Sequence, residues 1–166
     1  MKRTLCLLVL ATALVWIGAG VALAHCEIPC GIYGDRMRVA MLYEHITTVE
    51  KSMKQVTELS KDPGTNANQL VRWVDNKEQH CNEIQHIVTQ YFMTQRIKPA
   101  PASDEAAQKL YLARLSKLHA MLVHAMKAKQ TTDLHHVDKL RQLVKDFSEL
   151  YFSEDDLKHL QEHHGQ

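Results

Sequence analysis

The sequence predicts an all-α protein, an antiparallel four-helix bundle, and three observations carry that expectation. Apolar residues recur at alternating spacings of three and four over long stretches, the mark of one buried helix face. The composition is rich in Leu, Met, Lys and Gln, with 6% aromatic residues and only six glycines in 166, which favours helix over sheet. Breakers are few and well separated, so they divide the chain into pieces of bundle-helix length. No alternating strand pattern competes.

The first helix is expected from near Arg36, after a turn at Gly34-Asp35. Its seam is Val39, Leu42, Ile46, Val49, Met53 and Val56. Asp62-Pro63-Gly64 stops it with turn chemistry. A second helix is expected from about Asn66 to Gln95, with Leu70, Trp73, Lys77, Cys81, Ile84, Val88 and Tyr91 on its seam. Lys77 on that apolar face implies a buried polar contact, and Cys81 reads as a small buried hydrophobe. Lys98-Pro99-Ala100-Pro101-Ala102 is a stiff linker. Ser103 is placed to cap a third helix over about Asp104–Lys129, with Asp104 and Glu105 suited to its dipole. Its seam is Tyr111, Leu115, Leu118, Leu122 and Ala125. After Thr131-Thr132-Asp133, a fourth helix carries Val137, Leu140, Val144, Phe147 and Tyr151. Ser153-Glu154-Asp155-Asp156 has capping spacing and opens a short terminal turn.

Ahead of the helices stands a leader. Lys2 and Arg3 precede an apolar run from Leu5 to Val21, and Ala22-Leu23-Ala24 offers a small-x-small cleavage site. This reads as a secretory signal peptide, with an uncleaved membrane anchor as the alternative. His25 before Cys26 argues against a lipoprotein signal, and no twin-arginine pair is present. The mature chain is therefore expected outside the cytoplasm, periplasmic or secreted, with signal peptidase as its maturation partner and no stable membrane association after cleavage. The expected organisation is 1–24 signal peptide, 25–35 N-terminal hook, 36–153 helical bundle, and 154–166 short turn and tail.

Charge excludes one class of partner. The full chain carries a formal +1, and loss of Lys2 and Arg3 with the leader leaves it near −1. A nucleic-acid binder would show a strong basic excess. Eleven histidines direct attention to metal or pH chemistry. His119, His124, His135, His136, His159, His163 and His164 read as solvated or interface residues. Of four cysteines, Cys6 leaves with the leader, so three remain, Cys26, Cys30 and Cys81. An odd number does not make a disulfide framework.

The densest chemistry lies in His25-Cys26-Glu27-Ile28-Pro29-Cys30-Gly31-Ile32-Tyr33. Cleavage after Ala24 makes His25 the first residue, and its free amine and imidazole can chelate one metal together. The amide nitrogen and thiolate of Cys26 come next, and the Cys30 thiolate closes the set after one tight turn. Gly31 permits a positive φ there, and Pro29 makes its preceding peptide bond a cis candidate. A planar set of two nitrogens and two sulfurs results, with imidazole available axially. Square-planar geometry suits nickel(II) or copper(II), whereas zinc prefers a tetrahedron. Two thiolates and a deprotonated amide donate strongly enough to bring a Ni(III)/Ni(II) couple into range. Such a site suits one-electron cycling with a small molecule and does not suit hydrolysis. The bland reading of Cys26 and Cys30 is a small structural disulfide.

At this point the run His25-Cys-x-x-Pro-Cys-Gly-x-Tyr33 resembles the nickel hook of nickel-containing superoxide dismutases. Asn76-Lys77-Glu78-Gln79-His80 and Tyr91-Phe92-Met93-Thr94-Gln95-Arg96 are also similar to members of that family. The resemblance implies a homohexamer of four-helix bundles, one nickel ion per subunit, and disproportionation of superoxide to oxygen and hydrogen peroxide. It implies that His25 supplies amine and axial imidazole, Cys26 amide nitrogen and thiolate, and Cys30 thiolate. Tyr33 would stand over the open face of the metal, and backbone amides near Glu27 and Cys30 would help hold the anion. Some members support the axial imidazole with a Glu early in the first helix and an Arg in the second. Here Leu42 falls near the former, with Glu44 the closest acid, and His80 occupies the latter, so that partner stays open.

Two other functions compete with this one. A di-iron helical protein needs two Glu-x-x-His motifs, and only Glu83-Ile84-Gln85-His86 fits. A non-enzymatic extracytoplasmic bundle could use the same hook to hold nickel or copper without turnover. A rhombic Ni(III) EPR signal and rapid superoxide removal would separate the enzyme from it.

Overall fold

In the computed structural model the chain divides into two units, Met1–Gly31 and Ile32–Gln166. The structure describes residues 33–158, which all belong to the second unit. The leader, His25, Cys26, Cys30, and the tail histidines His159, His163 and His164 lie outside the described residues.

The described residues are helical, without strands. Helix α1 spans Asp35–Leu59, α2 Pro63–His86 and α3 Glu105–Gln130, and α4 spans His135–Tyr151. A π-helical segment, Ile87–Arg96, continues directly from α2. Residues 154–158 add one further turn, opened by Ser153, whose hydroxyl accepts from the Asp156 N–H.

Three boundaries differ from the sequence reading. Helix α2 begins at Pro63 rather than Asn66, because Pro63 needs no N–H partner in the first turn. Asp62 caps that helix by accepting from the Thr65 N–H. Helix α3 is capped by Asp104, which accepts from the Ala107 N–H at 2.9 Å, rather than by Ser103. The largest difference is the π-helical segment, where the periodicity predicted uninterrupted α-helix to Gln95.

Most of the expected seam residues come together in the core; Val56, Leu70 and Trp73 are only half-buried and stand outside it. Val39, Leu42, Ile46, Val49 and Met53 of α1 are fully buried against Cys81, Ile84, Val88 and Phe92. Leu118, Met121, Ala125 and Ala128 of α3 join them, with Val137, Leu140, Val144 and Phe147 of α4. Tyr111, Leu115 and Leu122, expected on the α3 seam, sit half-buried at its edge. Helix α1 packs on α2 and α4, and α3 packs on α2 and α4. Each large apolar side chain removed from water contributes roughly 1.5–3 kcal/mol. Phe92 stands edge-on to Phe147, centroids 5.0 Å apart, the geometry favoured by the ring quadrupole.

Lys77 has the buried polar contact its position implied. Its ammonium donates to the carbonyls of Lys129 at 2.6 Å and Thr131 at 3.2 Å. Those carbonyls belong to the last turn of α3 and the residue that ends it, so Lys77 closes that helix from across the core. No helix of the described residues is long and apolar enough to cross a membrane.

Candidate metal centre

Tyr33 is the one expected site residue within the described residues. It immediately precedes α1 and is 45% exposed. Its ring lies under the Arg96 guanidinium, 4.2 Å from carbon to centroid, and edge-on to Tyr91 at 6.1 Å. A cleft opens beside it, lined by Arg36, Arg96, Arg114, Tyr151 and Phe152 among others.

The chain around Tyr33 is fixed by one carboxylate. Arg96 grips Asp35 with a two-pronged contact, Nε to Oδ1 at 2.9 Å and Nη2 to Oδ2 at 2.6 Å. The Tyr91 hydroxyl donates to Oδ1 at 2.5 Å, and the Tyr151 hydroxyl to Oδ2 at 2.8 Å. The Gly34 N–H donates to the Tyr91 oxygen at 2.9 Å. Thus the first turn of α1, the π-helical segment and the end of α4 converge on Asp35.

The π geometry makes this convergence possible. Tyr91 and Arg96 are five residues apart, which is about 140° around an α-helix at ~100° per residue. In a helix bonded i to i+5 they lie one above the other. The side chains repeat that interval, Thr94 Oγ1 donating to the Thr89 carbonyl and Gln95 Nε2 to the Gln90 carbonyl. Ile87, Phe92 and Ile97 are buried at the same spacing of five. That spacing was the available sequence signal.

The electrostatics follow from the contacts. Burial works to raise the Asp35 pKa, but hydrogen bonds from Arg96, Tyr91 and Tyr151 outweigh it and hold the carboxyl below its ordinary value. Burial, and then the bond to Asp35, pushes the phenols of Tyr91 and Tyr151 up to about 12. Arg96 is raised further above its already high value, chiefly by its hydrogen bond to Asp35. All four groups keep their charge states across the physiological range.

The other residues singled out are dispersed. His80 does not meet an acid from α1. Its Nδ1 faces His45 Nδ1 at 2.8 Å, so one ring donates to the other. Burial, followed by repulsion from His80, lowers the His45 pKa. His45 Nε2 is buried without a hydrogen-bond partner, which favours the tautomer that donates from Nδ1 and leaves only a lone pair unmatched. His124 and His136 form a similar pair at 3.1 Å. Among the described residues no group of three or more His, Cys, Asp or Glu could hold a metal ion, so Glu83 and His86 do not build a di-iron site.

Cys81 is fully buried and unpaired, and burial pushes its thiol up to about 11. Among the described residues Cys81 belongs to no group of three or more possible metal ligands. The expected donors His25, Cys26 and Cys30 lie outside the described residues, and as a set they combine two thiols with an imidazole. Soft sulfur with nitrogen is the donor chemistry that nickel accepts.

Residues 20–155 match the family described as nickel-containing superoxide dismutase, which makes the chain a helical, metal-dependent oxidoreductase. The chain belongs to that family, and its activity is the dismutation of superoxide with nickel as cofactor. No curated protein and no solved structure matches it.

Proposed function

We propose that this chain dismutes superoxide at a nickel site built on His25, the first residue left when the leader is removed after Ala24. The observation that carries the proposal is a family match running from residue 20 to residue 155, across the whole hook and the helices behind it. His25 would hold the nickel with its amine and imidazole, Cys26 with its amide nitrogen and thiolate, and Cys30 with a second thiolate. Nickel held there would supply a one-electron couple between Ni(III) and Ni(II); overall, two superoxide anions and two protons from water give one oxygen and one hydrogen peroxide.

The chain's own residues do the rest. Tyr33 would restrict access to the nickel to a small anion and order water there. Backbone N–H groups near Glu27 and Cys30 receive the negative charge. The ligands need the free amine, so signal peptidase is the activating protease, and export and activation are one event. Residues 1–24 are the signal peptide, 25–35 the hook, 36–153 an antiparallel four-helix bundle and 154–166 a short turn and tail. The short links between helices that pack as neighbours support the bundle reading. The mature enzyme works outside the cytoplasm, periplasmic or secreted, as a homohexamer.

Nickel analysis and superoxide removal on protein trimmed to His25 test this reading. About one nickel per subunit with rapid removal is expected. Trimmed protein that binds nickel tightly but removes no superoxide would contradict it.

A further inference from the structure

We propose that Asp35 and Arg96 form a clamp that positions Tyr33 for turnover. The proposal rests on the reading above that Tyr33 stands over the metal. Tyr33 is nearly half exposed, and an exposed phenol on a chain entry has many rotamers. Three contacts reduce that freedom. The Arg96 guanidinium covers the ring face, Tyr91 meets its edge, and the Gly34 N–H is tied to the Tyr91 oxygen.

Arg96 is itself immobilised. A guanidinium is planar, and two prongs on one carboxylate fix the orientation of its plane as well as its place. The Asp35 carboxylate in turn receives Tyr91 and Tyr151, so it is held from the π-helical segment and from α4. The flat face of Arg96 is thereby presented to Tyr33 at a set height. An ammonium at position 96 would keep the charge and lose both the fork and the stacking face. Neither Asp35 nor Arg96 touches Tyr33's hydroxyl by a hydrogen bond, so each acts on the reaction through the ring it holds.

The test places 3-fluorotyrosine at position 33 in trimmed protein and compares wild type, Asp35→Asn and Arg96→Lys. The ¹⁹F line is read without metal, and superoxide removal is read at matched nickel content. The clamp predicts that both variants shift the ¹⁹F line toward that of free fluorotyrosine and narrow it. Removal should fall about tenfold, as for a misplaced group at a reacting centre, with helicity retained. Failure of Arg96→Lys to rescue, despite its charge, separates geometry from electrostatics, and full activity in Arg96→Lys would overturn the clamp. So would an unmoved ¹⁹F line in both variants, or a freed ring with unchanged removal. Tyr33→Ala distinguishes the two levels. Undiminished removal in that variant overturns the Tyr33 reading and the clamp together. Diminished removal in Tyr33→Ala with none in Asp35→Asn overturns the clamp alone.

Discussion

Single residues carry the chemistry. Cys26→Ser or Cys30→Ser should abolish nickel redox activity while circular dichroism stays helical, because residues 39–147 already build a buried core among themselves. His25→Gln should still bind nickel and turn over poorly, since only the imidazole is lost; unchanged turnover would remove its axial role. Cys81→Ala should leave nickel content and turnover as they are, because that thiol is buried, protonated and part of the core. The proposed ligand residues can be read from the sequence alone because a metal hook at a chain terminus is local, with every proposed donor within six residues. The Asp35–Arg96 pair was not legible: its partners are 61 positions apart, and a turn residue with a helix-end arginine carries no local sign that they meet. His80, which falls where some family members carry an arginine, pairs with His45. Sequence spacing puts both on helices and leaves their approach to the packing of α1 on α2.

Elements decide where those residues point. The seams of α1 and α4 were readable almost residue for residue, since a regular α-helix turns spacing into direction. The π-helical segment broke that conversion: Tyr91 is buried as its place on the seam predicted, but Phe92 and Arg96 ended on faces that α periodicity does not give. Deleting Thr94 would shorten the segment by one residue and rotate Arg96 away from Asp35. Such a protein should stay helical yet lose the Arg96–Tyr33 contact, measurable as a shift of the Tyr33 ring signals in NMR spectra. Phe92 lies at the centre of the aromatic cluster with Tyr91, Phe147 and Tyr151. Phe92→Ala should cost about 3–5 kcal/mol in denaturant unfolding. Lys77→Met should cost about 2 kcal/mol, because two carbonyls at the end of α3 lose a charged donor. The end of α3 should show faster amide exchange in that variant.

The whole molecule responds to pH through groups spread over its surface and core. Asp35, Glu50 and Asp146 have folded pKa values below the ordinary 3.8, 4.5 and 3.8. For Glu50 the main cause is the Lys54 hydrogen bond and then Arg141; for Asp146 it is Lys117 and then Gln142. A lowered carboxylate stabilises fully above its unfolded pKa and ceases to do so as pH falls through the folded value. His45 and His124, lowered from 6.5 chiefly by burial, act at higher pH. They favour the folded state above about pH 6.5 and lose that contribution as pH falls through their folded values. Melting temperature should therefore decline in two stages on acidification, first below about pH 6.5 and again below about pH 4.5. His45→Phe should shrink the first stage, leaving the share of His124, and should not touch the second; an unchanged profile would exclude His45 as a source.

At the same scale, the proposed maturation would link export to chemistry. With residues 1–24 attached, His25 would have no free amine and the proposed ligand set would be one donor short. Intact-mass spectrometry of active enzyme, paired with its nickel content, tests this most directly. The mass should correspond to a chain beginning at His25, with about one nickel per subunit. Active, nickel-loaded enzyme carrying even one residue before His25 would contradict it.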